Sequence, residues 1–400
     1  MSPVAATPTA SAADPLRRPV GVGIIGLSAR GGWAARAHVP ALEALNDRFE
    51  LRALSTSSTE SARAAGEKYG VPLAFGSADE LVHRDEVDLV VVTVKVPHHR
   101  ELVEAALRAG KNVLCEWPLA NGLAEAERLS GLATSAGVRA FVGLQARANP
   151  ALQYLHDLVA KGYVGEVLST SMIASGAAWG ATFSTGDEYL LDRDNGATLL
   201  TILFGHTIDA LSMVLGEFTE ATATTAVRRP RVANPATGES AAMTAADQVA
   251  VTGVLESGAV ASVHYRGGSS RSTNLHWEIN GTDGDLVVTA PSGHLQLAPA
   301  TLRGARGTDA QLTEIPVPTE YEKVPALSGR FEEPSYALAH AYTALHEPRP
   351  PSRSPEAATG PVGPAPSRLA PICAGQPRIS AAVLFAGIFV PRALSSCPAK

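Results

Sequence analysis

The sequence is poor in cysteine, and the few cysteines that it has are far apart. Cys115, Cys373 and Cys397 are the 3 cysteines among 400 residues. Such wide spacing fits neither a disulfide framework nor a cysteine-ligated metal site, and we expect no bound metal. Low cysteine usage without a disulfide pattern is typical of a reducing compartment, so the sequence predicts a cytoplasmic location.

Basic surface charge is also scarce. Charged residues make up 18% of the chain, and the formal net charge is -6. The sequence shows no basic face and no helix-turn-helix pattern. Since binding to a phosphate backbone depends on clustered lysines and arginines, we do not expect nucleic acid as a direct partner.

Long apolar runs are missing as well. A helix that crosses a bilayer needs about 20 apolar residues, and the longest late candidate, at 379–390, is too short. The first 18 residues are rich in Ala, Pro, Ser and Thr and lack the apolar core of a secretory signal. The sequence thus predicts a soluble protein with no membrane partner, which begins with a disordered segment over residues 1–18.

The sequence contains enough regular apolar pattern for two domains. From residue 19 to 145, short runs rich in Val, Ile and Leu alternate with helical segments, which predicts an α/β domain with a doubly wound parallel sheet of the Rossmann type. From residue 146 to 346, helices give way to strands separated by Gly-containing turns. This second pattern predicts an α+β domain with an open, mostly antiparallel sheet.

The last part of the chain, residues 347–400, changes character abruptly. It holds 11 of the 28 prolines and shows no helical periodicity. This composition predicts a disordered tail. A shifted reading frame would produce the same abrupt change, and sequencing the coding region again would test that hypothesis.

A glycine-rich turn follows the first strand. Glycines at such a turn let the backbone approach a pyrophosphate, and the next helix presents free N–H groups to it. Ser28 stands where the strict G-x-G-x-x-G fingerprint has glycine, so a glycine-rich turn of an unrelated α/β domain is the alternative. The candidate cofactor-binding residues here are Gly26, Ser28, Ala29, Arg30, Gly31 and Trp33.

The end of the second strand carries hydroxyl groups where many such domains carry a carboxylate for the ribose. Ser55, Thr56 and Ser57 occupy this position, and we take them as cofactor-binding candidates. Without a carboxylate, nothing there repels a 2′-phosphate. This tilts the choice towards NADP, and because no arginine stands beside the cluster, NAD remains open.

Several segments resemble the glucose–fructose oxidoreductase/inositol dehydrogenase/MocA family. They are VGVGIIGL at 20–27, GEKYGV at 66–71, GKNVLCEWPLA at 110–120, LHDLVAKGYVGEV at 155–167 and INGTDGDL at 279–286. The resemblance spans about residues 19–345 and implies a Rossmann domain, a second domain whose sheet pairs subunits into dimers or tetramers, and hydride transfer between a nicotinamide and a sugar or polyol. The runs at 26–42 and 201–211 are most similar to a branch of fungal galactose-regulon repressors, which bind nucleotide without dehydrogenase chemistry.

Two positions depart from the pattern of the family's dehydrogenases. Their Glu-Lys-Pro motif is here Glu116-Trp117-Pro118, and the missing lysine is the cation that normally acts on the reacting hydroxyl. Ile202 replaces the aspartate four residues before the catalytic histidine, His206. The resemblance still implies cofactor contacts from Glu116 and Trp117, although an aromatic ring that only fills the cleft wall is an equal interpretation of Trp117.

Further candidates complete the predicted site. His206 is the candidate acid/base, and Lys95, after a strand that ends at the ligand edge of the sheet, is a candidate replacement for the missing cation. Surface or structural roles are the alternatives for Lys95 and for the substrate-binding candidates. By the family pattern and their positions, those candidates are Arg147, Tyr189, Asp209 and His98.

Two functions follow from these observations. The first is an NAD(P)-dependent oxidoreductase that acts on a CH–OH group of a sugar, sugar derivative or cyclitol, with His206 as acid/base. The second is a catalytically silent nucleotide-binding regulator that acts through a protein partner. The loss of the lysine and the aspartate favours the regulator, whereas His206, Lys95 and the general behaviour of the family favour the enzyme, which we take as the main hypothesis.

Overall fold

Six parallel strands build the first sheet of the structure, a computed structural model. They are β1 (Val20–Ile25), β2 (Phe49–Ser55), β3 (Leu73–Phe75), β4 (Leu89–Val92), β5 (Asn112–Glu116) and β6 (Ala140–Gly143). Their spatial order is β3-β2-β1-β4-β5-β6, so the order in which successive strands are added to the sheet reverses between β1 and β4. This order confirms the predicted doubly wound Rossmann sheet, whose ligand crevice lies at that reversal.

Helices cover both faces of this sheet, which explains why its strands are apolar throughout. The helices are α1 (Val39–Glu43), α2 (Thr59–Tyr69), α3 (Ala78–Val82), α4 (His99–Arg108) and α5 (Leu123–Ala136). Local sequence sets the ends of α2. The hydroxyl of Ser58 accepts the N–H of Ser61 at 3.2 Å at its start, and Gly70, with a φ of 66°, ends it.

The second domain contains a separate two-stranded hairpin and an eight-stranded sheet of order β16-β15-β14-β13-β7-β12-β11-β8. Neighbouring strands of the large sheet are antiparallel except for the parallel pair β7–β12, which confirms the predicted mostly antiparallel sheet. Its strands are β7 (Val167–Gly176), β8 (Phe218–Ala226), β11 (Gln248–Leu255), β12 (Val260–Gly267), β13 (Leu275–Gly281), β14 (Gly284–Ala290), β15 (Thr301–Arg306) and β16 (Thr313–Glu314), and the hairpin is β9 (Arg231–Ala233) with β10 (Ser240–Ala242).

One face of the large sheet forms the core of the second domain. Helices α6 (Pro150–Ala160) and α7 (Gly205–Leu215) belong to this core, and a π-helical turn, Leu200–Phe204, leads into α7. Trp277 and Tyr265 are fully buried on this face. The opposite face is open, with Ile173 51% and Val260 58% exposed.

A last helix, α8 (Pro334–His346), returns to the first domain. Its buried Leu338 and Tyr342 belong to the same apolar cluster as Val22 and Ile24 of β1. The predicted second domain, 146–346, therefore includes a segment that completes the first one. Sequence order could not show this, because the contact joins residues about 300 positions apart.

The structure describes residues 18–346. The segments predicted to be disordered, 1–18 and 347–400, lie outside this range except for Arg18, which forms a two-bond ion pair with Asp88. Within the described range, no helix combines the length and the apolar character that a bilayer crossing requires. The same residues contain no cluster of three or more His, Cys, Asp or Glu that could hold a metal ion.

Candidate functional site

The glycine-rich turn lies at the carboxyl end of β1, where the sheet order reverses. Gly26, Gly31 and Gly32 have φ values of 104°, 99° and 114°, which only glycine adopts without strain. A β-carbon at Gly26 would lie 2.9 Å from Oγ1 of Thr93. At Gly31 and Gly32, a β-carbon would meet no atom within 4 Å, so open space lies in front of this part of the turn.

Helix α2 holds this turn in place. Nζ of Lys68 donates to the carbonyl of Ala29 at 2.7 Å, and the hydroxyl of Tyr69 donates to the carbonyl of Ser28 at 3.1 Å. Within the turn, the Ser28 hydroxyl accepts the N–H of Arg30 at 3.2 Å. The turn is therefore a fixed cradle with open space in front of it, as a bound pyrophosphate requires.

The predicted hydroxyl cluster lies at the end of β2, and its three members differ in their surroundings. Ser55 is buried, and its Oγ is enclosed without a hydrogen-bond partner in the described part of the chain. Thr56 donates to the carbonyl of Ser58 at 3.0 Å and also contacts the Ser61 hydroxyl. Ser57 is exposed. The structure thus leaves Ser57 as the hydroxyl most open to solvent.

Glu116 ends β5 inside the protein, and polar side chains surround it. Its Oε1 is 2.9 Å from Nε2 of His38, and Gln145 donates to both carboxylate oxygens at 3.1 and 2.8 Å. Burial by itself would raise the pKa of Glu116, but the hydrogen bonds and charge of His38, with help from Gln145 and Trp33, lower the pKa of this carboxyl. Its predicted contact with a cofactor stays a prediction.

Trp117 lies between the two domains. Its Nε1 donates to the carbonyl of Thr201 in the π-helical turn at 2.5 Å. A β-carbon at Gly205 would lie 2.8 Å from the same Nε1, so glycine at this position permits the close packing. The indole also meets the ring of His206 edge-on, with centroids 6.4 Å apart. The large indole that replaces the family's lysine is thus packed against the predicted acid/base.

His206 lies in the first turn of α7 and is buried. Its Nδ1 is enclosed and has no hydrogen-bond partner among residues 18–346. Burial lowers the pKa of His206 to about 4, and the charge of Glu116 opposes this shift only partly. A second histidine, His294, acts electrostatically on His206, and burial lowers the pKa of His294 to about 4 as well. Both imidazoles are therefore neutral at pH 7.

Arg147 and Asp209, two predicted substrate-binding residues, pair with each other. Nε and Nη2 of Arg147 each lie 2.7 Å from one carboxylate oxygen of Asp209. The Asp209 side chain is fully buried, and that of Arg147 is 16% exposed. A direct substrate contact from Asp209 stays a prediction, and in this structure the pair joins the segment after β6 to α7.

Lys95 and Tyr189, predicted from different domains, meet in the structure. Nζ of Lys95 lies 4.6 Å from the centroid of the Tyr189 ring, which is cation–π distance. His98 is exposed, and its Nδ1 is 3.2 Å from Glu101 on the first turn of α4. Lys95 therefore lies at the contact between the domains, whereas His98 has a surface ion-pair partner.

Several polar residues near these candidates escaped the sequence analysis. His38 and Gln145 hold Glu116 by the hydrogen bonds described above. His294 lies in a turn after β14. None of these positions has a local sequence signal, because each contact depends on the packing of distant segments.

Acid is expected to destabilise the protein through His206. Its folded-state pKa of about 4 lies below the ordinary value of 6.5, so the unfolded chain binds more protons between these values. Stability therefore falls as the pH drops from 6.5 towards 4, by about 2 kcal/mol at pH 5 relative to pH 7 for this one group.

Chemical denaturation at pH 7 and pH 5 measures this loss. A His206→Gln variant, which has no imidazole to titrate, should lose about 2 kcal/mol less than the wild type over the same interval. Equal losses in the two proteins would contradict the assignment of the pKa shift to His206.

Two family models match adjoining parts of the chain. Residues 20–144 match the oxidoreductase family with an NAD-binding Rossmann fold, Gfo/Idh/MocA. Residues 150–290 match the C-terminal domain of Gal80p. The boundary between the two matches coincides with the passage from β6 to α6.

Three relatives illustrate the range of these matches. The dehydrogenase aclE of Aspergillus oryzae is 37% identical over 52% of this chain and 58% of its own length. The galactose/lactose metabolism regulatory protein GAL80 of Saccharomyces cerevisiae is 29% identical over 74% of this chain and 73% of its own. The 1,5-anhydro-D-fructose reductase of Ensifer adhaerens is 27% identical over 64% of this chain and 74% of its own.

The tertiary structure agrees with these matches. A crystal structure of a super-repressor mutant of Gal80p from Saccharomyces cerevisiae has a TM-score of 0.75 and 24% identity, and the superposition covers 82% of this chain and 86% of that one. The fold, the glycine-rich cradle and both family models therefore agree on a Rossmann domain followed by a second domain with a mostly antiparallel sheet. The first domain thus matches the NAD-binding Rossmann fold of the Gfo/Idh/MocA oxidoreductase family, and the second domain matches the C-terminal domain of Gal80p.

Proposed function

We propose that this protein is an NAD(P)-dependent oxidoreductase that acts on a CH–OH group of a sugar, sugar derivative or cyclitol. The observation that carries the proposal is the buried imidazole of His206, which packs against Trp117 of the Glu116-Trp117-Pro118 motif and whose Nδ1 has no hydrogen-bond partner among residues 18–346. Oxidation of a hydroxyl needs a group that accepts its proton. The match to a sugar reductase over most of that enzyme's length supports the proposed substrate class.

The fit of the cradle to a dinucleotide supports the cofactor. The open space in front of Gly31 and Gly32 and the positive φ of Gly26 suit a pyrophosphate, which the turn would hold through its backbone. When bound, the nicotinamide donates or accepts the hydride. The hydroxyl of Ser57 and the absence of a carboxylate from residues 55–58 favour NADP over NAD.

His206 performs the proton transfer in this proposal. At pH 7 its imidazole is neutral and can accept the proton of the substrate hydroxyl. Trp117 packs edge-on against the ring and limits how far it can turn. The imidazole is thereby held at a fixed place, from which it can exchange a proton with the substrate oxygen.

Lys95 supplies positive charge in place of the lysine that the family motif lacks. Tyr189 holds the Lys95 ammonium by a cation–π contact of 4.6 Å. Lys95 comes shortly after β4, the strand next to β5. The carboxyl ends of these two strands meet at the same edge of the sheet. A cation there stabilises an oxygen that loses its proton to His206.

A second candidate function is a nucleotide-binding regulator that acts through a protein partner. The specific observation in its favour is that Trp117 and Ile202 replace the family's lysine and aspartate, and that Trp117 is bound to Thr201 and packed on His206. The match to the regulatory protein GAL80 over 73% of its length supports this candidate as well.

Fluorescence titration tests both candidates. Purified protein is titrated with NADPH and NADH, and a panel of sugars, ketosugars and cyclitols is then added while the reduced-nicotinamide signal is followed. We expect binding, with NADPH the tighter ligand, and a loss of signal with at least one carbonyl compound. Binding without turnover across the panel would favour the regulator, and no binding of either nucleotide would contradict both functions.

Two further expectations stay predictions. The open face of the large sheet, with Ile173 and Val260 exposed, is the surface through which we expect a homodimer or homotetramer to form. The buried, free thiol of Cys115 is compatible with the expected cytoplasmic location.

A further inference from the structure

The second domain contains a cavity of about 430 Å³ that is separate from the glycine-rich turn. It lies between the loop after β7, the start of β11 and the end of β12. Six of the residues that line the cavity have polar or basic side chains. They are Thr182, Arg229, Gln248, Arg266, Ser269 and Ser270.

Arg266 lines this cavity and carries an unsatisfied donor. Its Nε is enclosed and has no hydrogen-bond partner in the described part of the chain. Leaving a guanidinium N–H enclosed and unpaired costs free energy. None of the residues that line the cavity in the described structure is acidic, so the lining itself offers Arg266 no ion-pair partner.

Arg229 is held in place beside the end of β12, with its Nη1 3.5 Å from the carbonyl of Gly267. Its Nη1 lies 3.1 Å from Oδ2 of Asp247, whose side chain is fully buried. The other carboxylate oxygen of Asp247, Oδ1, accepts the backbone N–H of Arg228 at 2.7 Å. The described lining thus contains the two arginines Arg229 and Arg266 and no acidic residue, so it carries an excess of positive charge.

The backbone around the cavity is strained and tightly packed. Trp179, in the loop after β7, has a φ of 54°, which is unfavourable for a bulky residue, and its Nε1 donates to the carbonyl of Leu190 at 2.9 Å. A β-carbon at Gly267 would lie 2.1 Å from the Trp179 carbonyl oxygen. Only glycine at 267 allows the loop to approach the end of β12 so closely, and strain of this kind is concentrated at functional sites.

We propose that this cavity binds a small phosphate monoester that also carries hydroxyl groups. An arginine guanidinium forms two parallel hydrogen bonds to phosphate oxygens; Arg266 lines the cavity, and Arg229 adds a second charge. The hydroxyls of Thr182 and Ser269 and the amide of Gln248 are suited to hydroxyl groups on the rest of the ligand. The site belongs to the second domain alone and does not depend on the function proposed for the nucleotide cleft.

Isothermal titration calorimetry of the full chain tests the proposal. Inorganic phosphate and glycerol phosphate are the probes, and acetate and glycerol are the comparison ligands. We expect both phosphates to bind, glycerol phosphate more tightly, and neither comparison ligand to bind measurably. An Arg266→Gln variant should bind phosphate about tenfold more weakly or worse, since it loses the charge and the paired donors.

Arg303→Gln is the matched control, because Arg303 is an exposed arginine on β15 of the same sheet and is not part of the cavity lining. It should bind phosphate as the wild type does. If Arg266→Gln fails to fold, Arg266→Lys replaces it. That variant keeps the charge, loses the fork and should still weaken phosphate binding.

Three results would overturn the proposal. They are no phosphate binding by the wild type, an equal loss in the Arg266 and Arg303 variants, and acetate binding as tight as phosphate binding. The last of these would assign the cavity to carboxylates. Since the probes contain no nicotinamide, failure here leaves the nucleotide titration unaffected.

Discussion

Replacing His206 with alanine is expected to lower kcat/KM by about 10²- to 10⁴-fold, the usual contribution of a positioned acid/base. The variant should still bind nucleotide, because the glycine-rich turn lies in the other domain and is held by α2 through Lys68 and Tyr69. The loss should fall mainly on kcat, since the imidazole acts in the transition state of proton transfer and contributes less to substrate binding.

Steady-state kinetics with the compound that gives the largest signal in the panel measure this change. His83→Ala is the matched control, because His83 lies on the surface at the end of α3, where its Nδ1 contacts the carbonyl of Asp79 at 2.8 Å. It should retain wild-type kinetics. A His206→Ala variant with unchanged kcat would contradict the proposed role of the imidazole.

The same variant separates the two candidate functions. If the protein is a regulator, His206→Ala should leave both nucleotide binding and partner binding intact, and there is no turnover to lose. Trp117→Lys adds a second comparison, since it restores the lysine of the family motif. In an enzyme that relies on Lys95 for positive charge, this second lysine should raise turnover. In a regulator, the Trp117→Lys variant should show no turnover, as the wild type shows none.

The second large effect is expected on stability. Replacing Arg147 with methionine should lower the free energy of unfolding by about 3–5 kcal/mol, because it leaves a buried carboxylate without its partner. Asp209 is fully buried and receives both of its close charged contacts from Arg147 at 2.7 Å. Desolvation of the lone carboxylate, more than the loss of an attraction, causes the destabilisation.

Chemical denaturation followed by tryptophan fluorescence measures this loss. The double variant Arg147→Met with Asp209→Leu should recover most of it, since neither buried charge then remains. Arg330→Met is the control, because Arg330 forms a similar two-bond pair with Glu333 on the surface, where water screens the charges, so little change is expected. Equal effects of Arg147→Met and Arg330→Met would contradict the argument.

The pattern of the sequence was sufficient to predict the two-domain architecture. Alternation of apolar strands with helices fixes a parallel sheet, and Gly-separated strands in the second half fix an antiparallel one. The glycine-rich turn was also visible, because Gly26, Gly31 and Gly32 adopt φ values that other residues avoid. Each of these signals is local, so the residues that carry it lie within a few positions of one another.

The environment of the candidate site was decided only by tertiary structure. Arg147 and Asp209 were both expected to bind substrate, and only the structure shows that they also pair with each other across 62 positions. His38 reaches Glu116 across 78 positions and Tyr342 across 304. Long-range contacts of this kind leave no periodic trace in the sequence, because a single polar side chain that is buried looks the same as one that is exposed.

For the final helix and for the ionisation of His206 as well, the sequence determined one part and tertiary structure decided the other. The sequence determined that His206 is present and that α8 is apolar enough to pack. Tertiary structure decided that α8 covers the first domain and that burial next to Trp117 keeps the imidazole of His206 neutral. The physical reason is that desolvation and partner choice depend on what surrounds a group in space, and the fold brings those surroundings together from distant parts of the chain.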